Sequence, residues 1–278
     1  MAGAAAGSNL PDVTAELDFL DHLVRESALF AEAVAAAPPG ALVPSCPGWD
    51  ADDLLWHLAE VQWFWGTIVR EGVTGEQADE FKPDRPADRD GLLAFYRRAS
   101  RDLGVILAAR APDTPAWTWS ADHTVGFVRR RQAHEALIHR VDAELTAGER
   151  TGMDARLSAD GVDEALRVMY GGELPDWGAF TPASADAVRL RATDTGDSWL
   201  VTAGRFTGTD PGDGVSYDQP CLQAAERDTG EPAAASITGS AADLDCWLWH
   251  RPPVGAVERS GDESVLGSFD TAIAPGLN

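Results

Sequence analysis

Residues 134–139 read His134-Glu135-Ala136-Leu137-Ile138-His139, inside a helical pattern that runs from about Thr124 to Thr146 and stops at Gly148. In an α-helix Glu135 and His139 are four residues apart, so they share one face, one turn above the other. An earlier amphipathic stretch holds Trp56-His57-Leu58; its stripe of Leu54, His57, Val61, Phe64 or Trp65, and Ile68 puts His57 on the buried side. Two imidazoles and one carboxylate form a common catalytic zinc set, with a fourth position open for water or a thiol. His57, Glu135 and His139 are therefore the expected ligands of a divalent metal, zinc first. A zincin would need His-Glu-x-x-His. Here the spacing is one residue longer, so His134 and His139 point roughly 140° apart at about 100° per residue. Asp142 falls on the Glu135/His139 face and reads either as an acceptor behind a ligand imidazole or as an ordinary helix carboxylate.

Outward from these two stretches the first half reads as helices. Val13 to Ala37 carries apolar residues at three- and four-residue steps and stops at Pro38-Pro39-Gly40. Asp50 is a good N-cap, with Asp53 three residues on, for a helix from about Ala51 to Glu71. Val73 to Asp90 reads as an acidic loop, Gly91 to Ala109 as a third helix, and Pro112 to His123 as irregular. Four such helices predict a bundle over residues 11–150, after a flexible start at 1–10. Beyond Gly148 the texture changes. A helix over Ser158 to Val168 is followed by strand patterns at Val188 to Ala192, Ser198 to Val201 and Ala235 to Ile237, then a helix from Ala241 to Trp249. Residues 151–278 are expected to form a smaller α+β domain, which makes the fold class α+β.

The chain has 278 residues and a formal net charge of −23, from 45 acidic and 22 basic side chains. Such a surface repels phosphates and anionic lipid, which argues against nucleic acid and membrane partners. No apolar run is long enough to span a bilayer, and the first residues lack a signal peptide's basic and apolar regions. Cys46, Cys221 and Cys246 are odd in number and form no CxxC, so a reducing cytoplasm is the expected home. Arg129-Arg130-Arg131 is the single basic cluster. It either draws an anionic substrate or, for at least two of the three, neutralises local acids. Trp117-Thr118-Trp119 is the tryptophan pair best placed to form a pocket wall.

Several motifs together resemble the mycothiol-dependent maleylpyruvate isomerase family. Val43-Pro44-Ser45-Cys46-Pro47-Gly48-Trp49 followed by Asp53-Leu54-Leu55-Trp56-His57-Leu58 looks like the start of that family. Arg130-Arg131-Gln132-Ala133-His134-Glu135 with His139-Arg140 and Asp142-Ala143-Glu144 resembles its second signature. Asp194-Thr195-Gly196, Gly239-Ser240-Ala241-Ala242-Asp243-Leu244, Trp249-His250-Arg251 and Gly261-Asp262 extend the likeness to the C-terminal half. The resemblance implies a DinB-like four-helix bundle followed by a small α+β domain. It also implies a divalent metal on His57, Glu135 and His139, and mycothiol, a small cysteine-containing thiol, as cofactor or co-substrate. A catalytic arginine of the C-terminal domain matches Arg251 best. The chain departs from the family pattern at His250, where glycine is usual.

A metal would deprotonate a thiol bound at its open fourth position, and only the thiolate is a good nucleophile. The expected activity is attack of that thiolate on a small electrophile, ending in cis–trans isomerisation of the maleylpyruvate type or in S-transfer. The other readings are a metal-dependent hydrolase that uses zinc-bound water, and a non-catalytic binding protein of the same fold.

Overall fold

The computed structural model describes residues 17–277. The expected flexible start at 1–10, and the first residues of the expected first helix, lie outside them. Helix α1 (Phe19–Ala36) begins later than Val13, because the Asp18 carboxylate accepts the N–H groups of Leu20 and Asp21 and so fixes the N-terminus. Helix α2 (Ala51–Glu71) has the expected capping box of Asp50 and Asp53, and ends on Gly72 at φ 67°, the left-handed conformation glycine adopts freely. The acidic stretch that follows is not wholly loop. Thr74 and Gln77 cap a short helix, α3 (Gly75–Asp79), whose first residue lies under the Trp117 ring, where a Cβ would come within 2.5 Å. Helices α4 (Arg89–Ala108) and α5 (Val125–Ala147) complete the bundle.

The bundle core has two apolar halves. One gathers Phe30, Val34, Leu54, Leu55, Leu58 and Tyr96; the other gathers Leu23, Trp65, Ile68, Leu103, Val128 and Leu137. The bundle also buries polar groups. Gln62 donates to Ser27 Oγ at 2.8 Å, Tyr96 donates to the Ser27 carbonyl at 2.8 Å, and Arg140 is ion-paired to Glu26 and Glu144. His57 comes from the second turn of α2, and Glu135 and His139 from the middle of α5.

After the bundle, α6 (Ala155–Glu164) runs straight into a π-helical turn at Ala165–Met169, shorter in α-geometry than the sequence suggests. A six-stranded sheet follows: β1 (Gly178–Pro182), β2 (Val188–Ala192), β3 (Ser198–Thr209), β4 (Ser216–Ala224), β5 (Ala235–Gly239) and β6 (Glu258–Gly261). The long β3 pairs antiparallel with β4 along one edge, and with β1 and β2 along the other; β2 pairs parallel with β5, and β5 antiparallel with β6. Helices α7 (Ala241–Leu248) and α8 (Glu263–Ile273) pack with α6 on a core of Leu190, Val201, Leu222, Ile237, Leu244 and Phe269. The sequence reading missed β1, β4, β6 and α8. The fold class is α+β as expected, with the helical bundle first and the sheet after it.

His250 is the sole non-glycine residue with positive φ among the described residues, at φ 58°. A side chain there crowds its own backbone, which explains why glycine suits this position. His250→Gly is expected to raise stability in denaturant unfolding by about 0.5–1 kcal/mol, the relieved strain less the extra freedom of the unfolded glycine.

Candidate metal centre

Three local devices deliver the side chains. The loop before α2 closes on itself through the Val43 N–H to Trp49 carbonyl bond (3.0 Å), with Gly48 at φ 88° making the turn. This presents Ser45 and Cys46 to α5 and lays the Trp49 ring 4.8 Å from the His57 ring. The capped start of α2 puts His57 in its second turn. The Thr124 N-cap sets α5 in register, so Phe127, Arg131, Glu135 and His139 share one face.

The structure brings His57, Glu135 and His139 together, their donor atoms all within 4.8 Å of one another. It is the one such group found among the described residues. Glu135 Oε1 lies 3.3 Å from His57 Nε2 and 3.1 Å from His139 Nε2. Bonds of about 2.1 Å to a tetrahedral ion put neighbouring donors about 3.4 Å apart, so these separations fit zinc-type coordination. Exposure falls across the group: 28% for the His57 side chain, 14% for Glu135 and 3% for His139, so the centre opens on the His57 side.

His139 is held between two carboxylates, Nε2 against Glu135 and Nδ1 against Asp142 Oδ2 at 2.9 Å. Carboxylates only accept, so without a metal both ring nitrogens carry protons. Burial opposes that charge, but Glu135 and Asp142 outweigh it and raise the imidazole to about 9. Burial likewise acts against the Glu135 charge; the His139 charge, the histidine hydrogen bonds and Arg131 overcome it and hold the carboxylate well below its usual range. A metal ion here would compete with a proton for the same atoms.

Asp142 is the hub behind these three side chains. Its side chain is wholly buried, yet it accepts from His139, from Ser45 Oγ, and from Arg251 through Nε (2.9 Å) and Nη2 (2.8 Å). Burial would neutralise this carboxyl, but His139 and Arg251 keep it ionised, far below the usual carboxylate range. Arg251 is itself buried, with its five N–H groups spent on Asp142 twice, on Cys46 Sγ, and on the carbonyls of Trp249 and Leu277. It reaches His139 through Asp142, and its five N–H groups all have partners within the protein. Cys46 beside them is pushed up to about 12, by burial first and by Asp142 second, and is an inert packing thiol.

On the other side, Glu135 Oε2 accepts from Arg131 Nη2 at 3.0 Å, while Arg131 Nη1 pairs with Glu164 of α6 and Trp249 lies against its guanidinium at 5.2 Å. Each arginine of the basic cluster thus has partners within the protein. Arg129 caps the carbonyls of Leu107 and Arg110, and Arg130 pairs with Asp160 and Asp163. His134 turns away from the ligands to Asp160, at 2.7 Å. Trp117 stacks on Trp65 in the bundle core. Trp119 is half exposed and, with Arg167, Gly171 and Gly172, lines a cavity of about 260 Å³ between bundle and sheet domain.

Residues 20–144 match the family model described as the mycothiol maleylpyruvate isomerase N-terminal domain, and residues 156–268 match the MDMPI C-terminal domain. The chain belongs to the mycothiol-dependent maleylpyruvate isomerase family. Two solved structures share the fold. A mutant mycothiol-dependent maleylpyruvate isomerase matches at 12% identity and a TM-score of 0.55, and a second structure titled as that enzyme at 13% and 0.51. Each likeness covers 88% of this chain and 93% of the other. None of the curated proteins matches. No helix of the described residues is long and apolar enough to cross a membrane.

Two outcomes follow from His139 and its neighbours. In the metal-free protein a histidine raised above its unfolded value of about 6.5 stabilises the fold below that pH. That stability is lost as pH rises through about 9, which urea unfolding across this window will show. Zn2+ affinity, measured by chelator competition, rises over the same window by about tenfold per pH unit as the proton leaves. Asp142→Asn lowers that affinity by about 10–100-fold, the usual cost of losing the acceptor behind a ligand histidine.

Proposed function

We propose that this protein is a cytoplasmic, metal- and mycothiol-dependent enzyme in which His57, Glu135 and His139 hold a divalent ion, zinc by the chemistry of the donors. Residues 11–150 and 151–278 are its two domains. The observation that carries the reading is the convergence of three donors from two helices, with the far nitrogen of His139 held by a buried carboxylate. When bound, the ion would supply the Lewis acidity that keeps a thiol ionised at neutral pH.

The chain's own residues do the rest. Asp142 holds the Nδ1 proton of His139, so that Nε2 is the nitrogen turned to the centre. Arg251 acts as a positioning residue that keeps Asp142 ionised and fixed. Arg131 does the same for the second oxygen of Glu135. The solvent-facing side, at His57 beside Trp49, admits thiol and electrophile.

The reaction balances without an oxidant or reductant. Thiolate sulfur adds to the activated carbon–carbon double bond of a maleylpyruvate-type substrate, forming a C–S bond and moving the π electrons onto the adjoining carbonyl. Rotation about the new single bond and elimination of the thiolate give the trans product. Where the enolate instead takes a proton from solvent at carbon, the thioether adduct remains, and the outcome is S-transfer. The buried, free cysteines suit a reducing cytoplasm.

His57→Ala and His139→Ala are each expected to lose bound metal and at least about 100-fold in thiol-dependent turnover, the two falling together. Elemental analysis and assays of mycothiol with maleylpyruvate and other electrophiles check this. Full activity in either variant, or turnover indifferent to thiol, overturns the assignment.

A further inference from the structure

Helix α7 buries a carboxylate that the chemistry above does not use. Asp245 is 1% exposed, and neither of its oxygens has a hydrogen-bond partner. The fold makes room for it. Gly161 of α6 lies directly beneath, where a Cβ would come within 2.6 Å of Asp245 Oδ2. An unpaired buried acid of this kind costs stability, and such costs gather at functional sites.

Its surroundings connect it to the metal centre. The charges acting on Asp245 are Glu164 and Asp160 from α6, Arg131 from α5, and Arg251 just beyond α7. Glu164 is wholly buried, with one oxygen on Arg131 and the other unpartnered. Arg131, 3% exposed, is thus one buried cation with Glu135 on one side and Glu164 on the other. Asp245 sits on the Glu164 side without a direct hydrogen bond to Arg131: it lies over Gly161, one turn before Glu164 on α6, and Trp249, whose N–H donates to the Asp245 carbonyl at 3.1 Å, lies against the guanidinium.

We propose that Asp245 is a positioning residue for the metal centre: from the far side of Arg131 it competes with Glu135 for the guanidinium, and so sets how strongly Glu135 donates to a metal ion. This rests on the reading of His57, Glu135 and His139 as metal ligands. In the metal-free protein burial first, and the Glu164 charge second, favour the neutral, protonated form of Asp245. Arg131 then belongs to Glu135 and Glu164. A divalent ion at Glu135 adds positive charge on the near side and shifts Asp245 towards its ionised form. The ionised carboxylate draws on Arg131, which leaves more of the Glu135 charge for the ion. By reciprocity, metal binding expels the Asp245 proton to solvent.

The test is to titrate Zn2+ into the metal-free protein in weak buffer and count released protons, with chelator competition run from pH 6 to 9. Wild type is expected to release up to about one proton more than Asp245→Asn. Its affinity advantage is expected to widen with pH to about tenfold, within the range usual for coupled sites. Asp245→Ser should behave as Asp245→Asn does, and Asp245→Asn should unfold at a higher temperature near neutral pH. Equal proton counts and parallel affinity curves overturn the proposal while leaving the metal centre standing. Divergence between the Asn and Ser variants also overturns it, because packing would then be the cause. Failure of wild type to bind Zn2+ overturns both the metal centre and this proposal.

Discussion

The buried Asp142–Arg251 pair is the contact on which the rest depends. An ionised carboxylate without exposure costs several kcal/mol unless its oxygens are filled, and a lone buried guanidinium costs as much. Here each solves the other's problem, and the geometry recruits four separate segments: α5, the Ser45–Cys46 turn, the chain beyond α7 and the carbonyl of Leu277. The pair links bundle to sheet domain and, through one further hydrogen bond, fixes the ring of His139. Arg131, Glu164 and Trp249 mirror this on the Glu135 side. Each of these two donors is thus braced by an arginine and by groups from the sheet-bearing half, so the centre belongs to neither half alone.

The parts legible in the sequence were those with a local periodic signal. The stripes of α1, α2 and α4 could be read at three- and four-residue steps, the Asp50/Asp53 box gave the start of α2, and Gly148 gave the end of α5, which is buried nearly all round and has no stripe. The metal group could be read because Glu135 and His139 need only helix geometry to meet, and His57 only a buried face. The strands that escaped had no clean alternation. β4 contains Pro220 and is mostly exposed along its first half, and β6 is exposed throughout. Helix α8 did have a signal: Asp262 as N-cap, then Val265, Leu266, Phe269, Ala272 and Ile273 on one face.

What no local reading supplies is contact between distant segments. Asp142 could be placed on the ligand face, but nothing in its neighbourhood says that Arg251 will meet it. The same holds for Asp245 and Gly161, whose pairing depends on how α6 and α7 pack. The departure from glycine at His250 was visible as a letter; its meaning came from the backbone angle. Arg251 could be matched as a letter too; that its N–H groups all go to Asp142, Cys46, Trp249 and Leu277 could not.

The separation of Asp142 from Arg251, 109 residues, bears on how the molecule is made. Ribosomes add about 5–20 residues per second, so the helices are out for several seconds before the arginine appears. Throughout that interval the nascent bundle holds an acid that has nowhere dry to go. The Asp142 side chain must stay wet until the segment just beyond α7 arrives. That contact therefore forms late in biosynthesis, at a time set by the length of chain still to be translated.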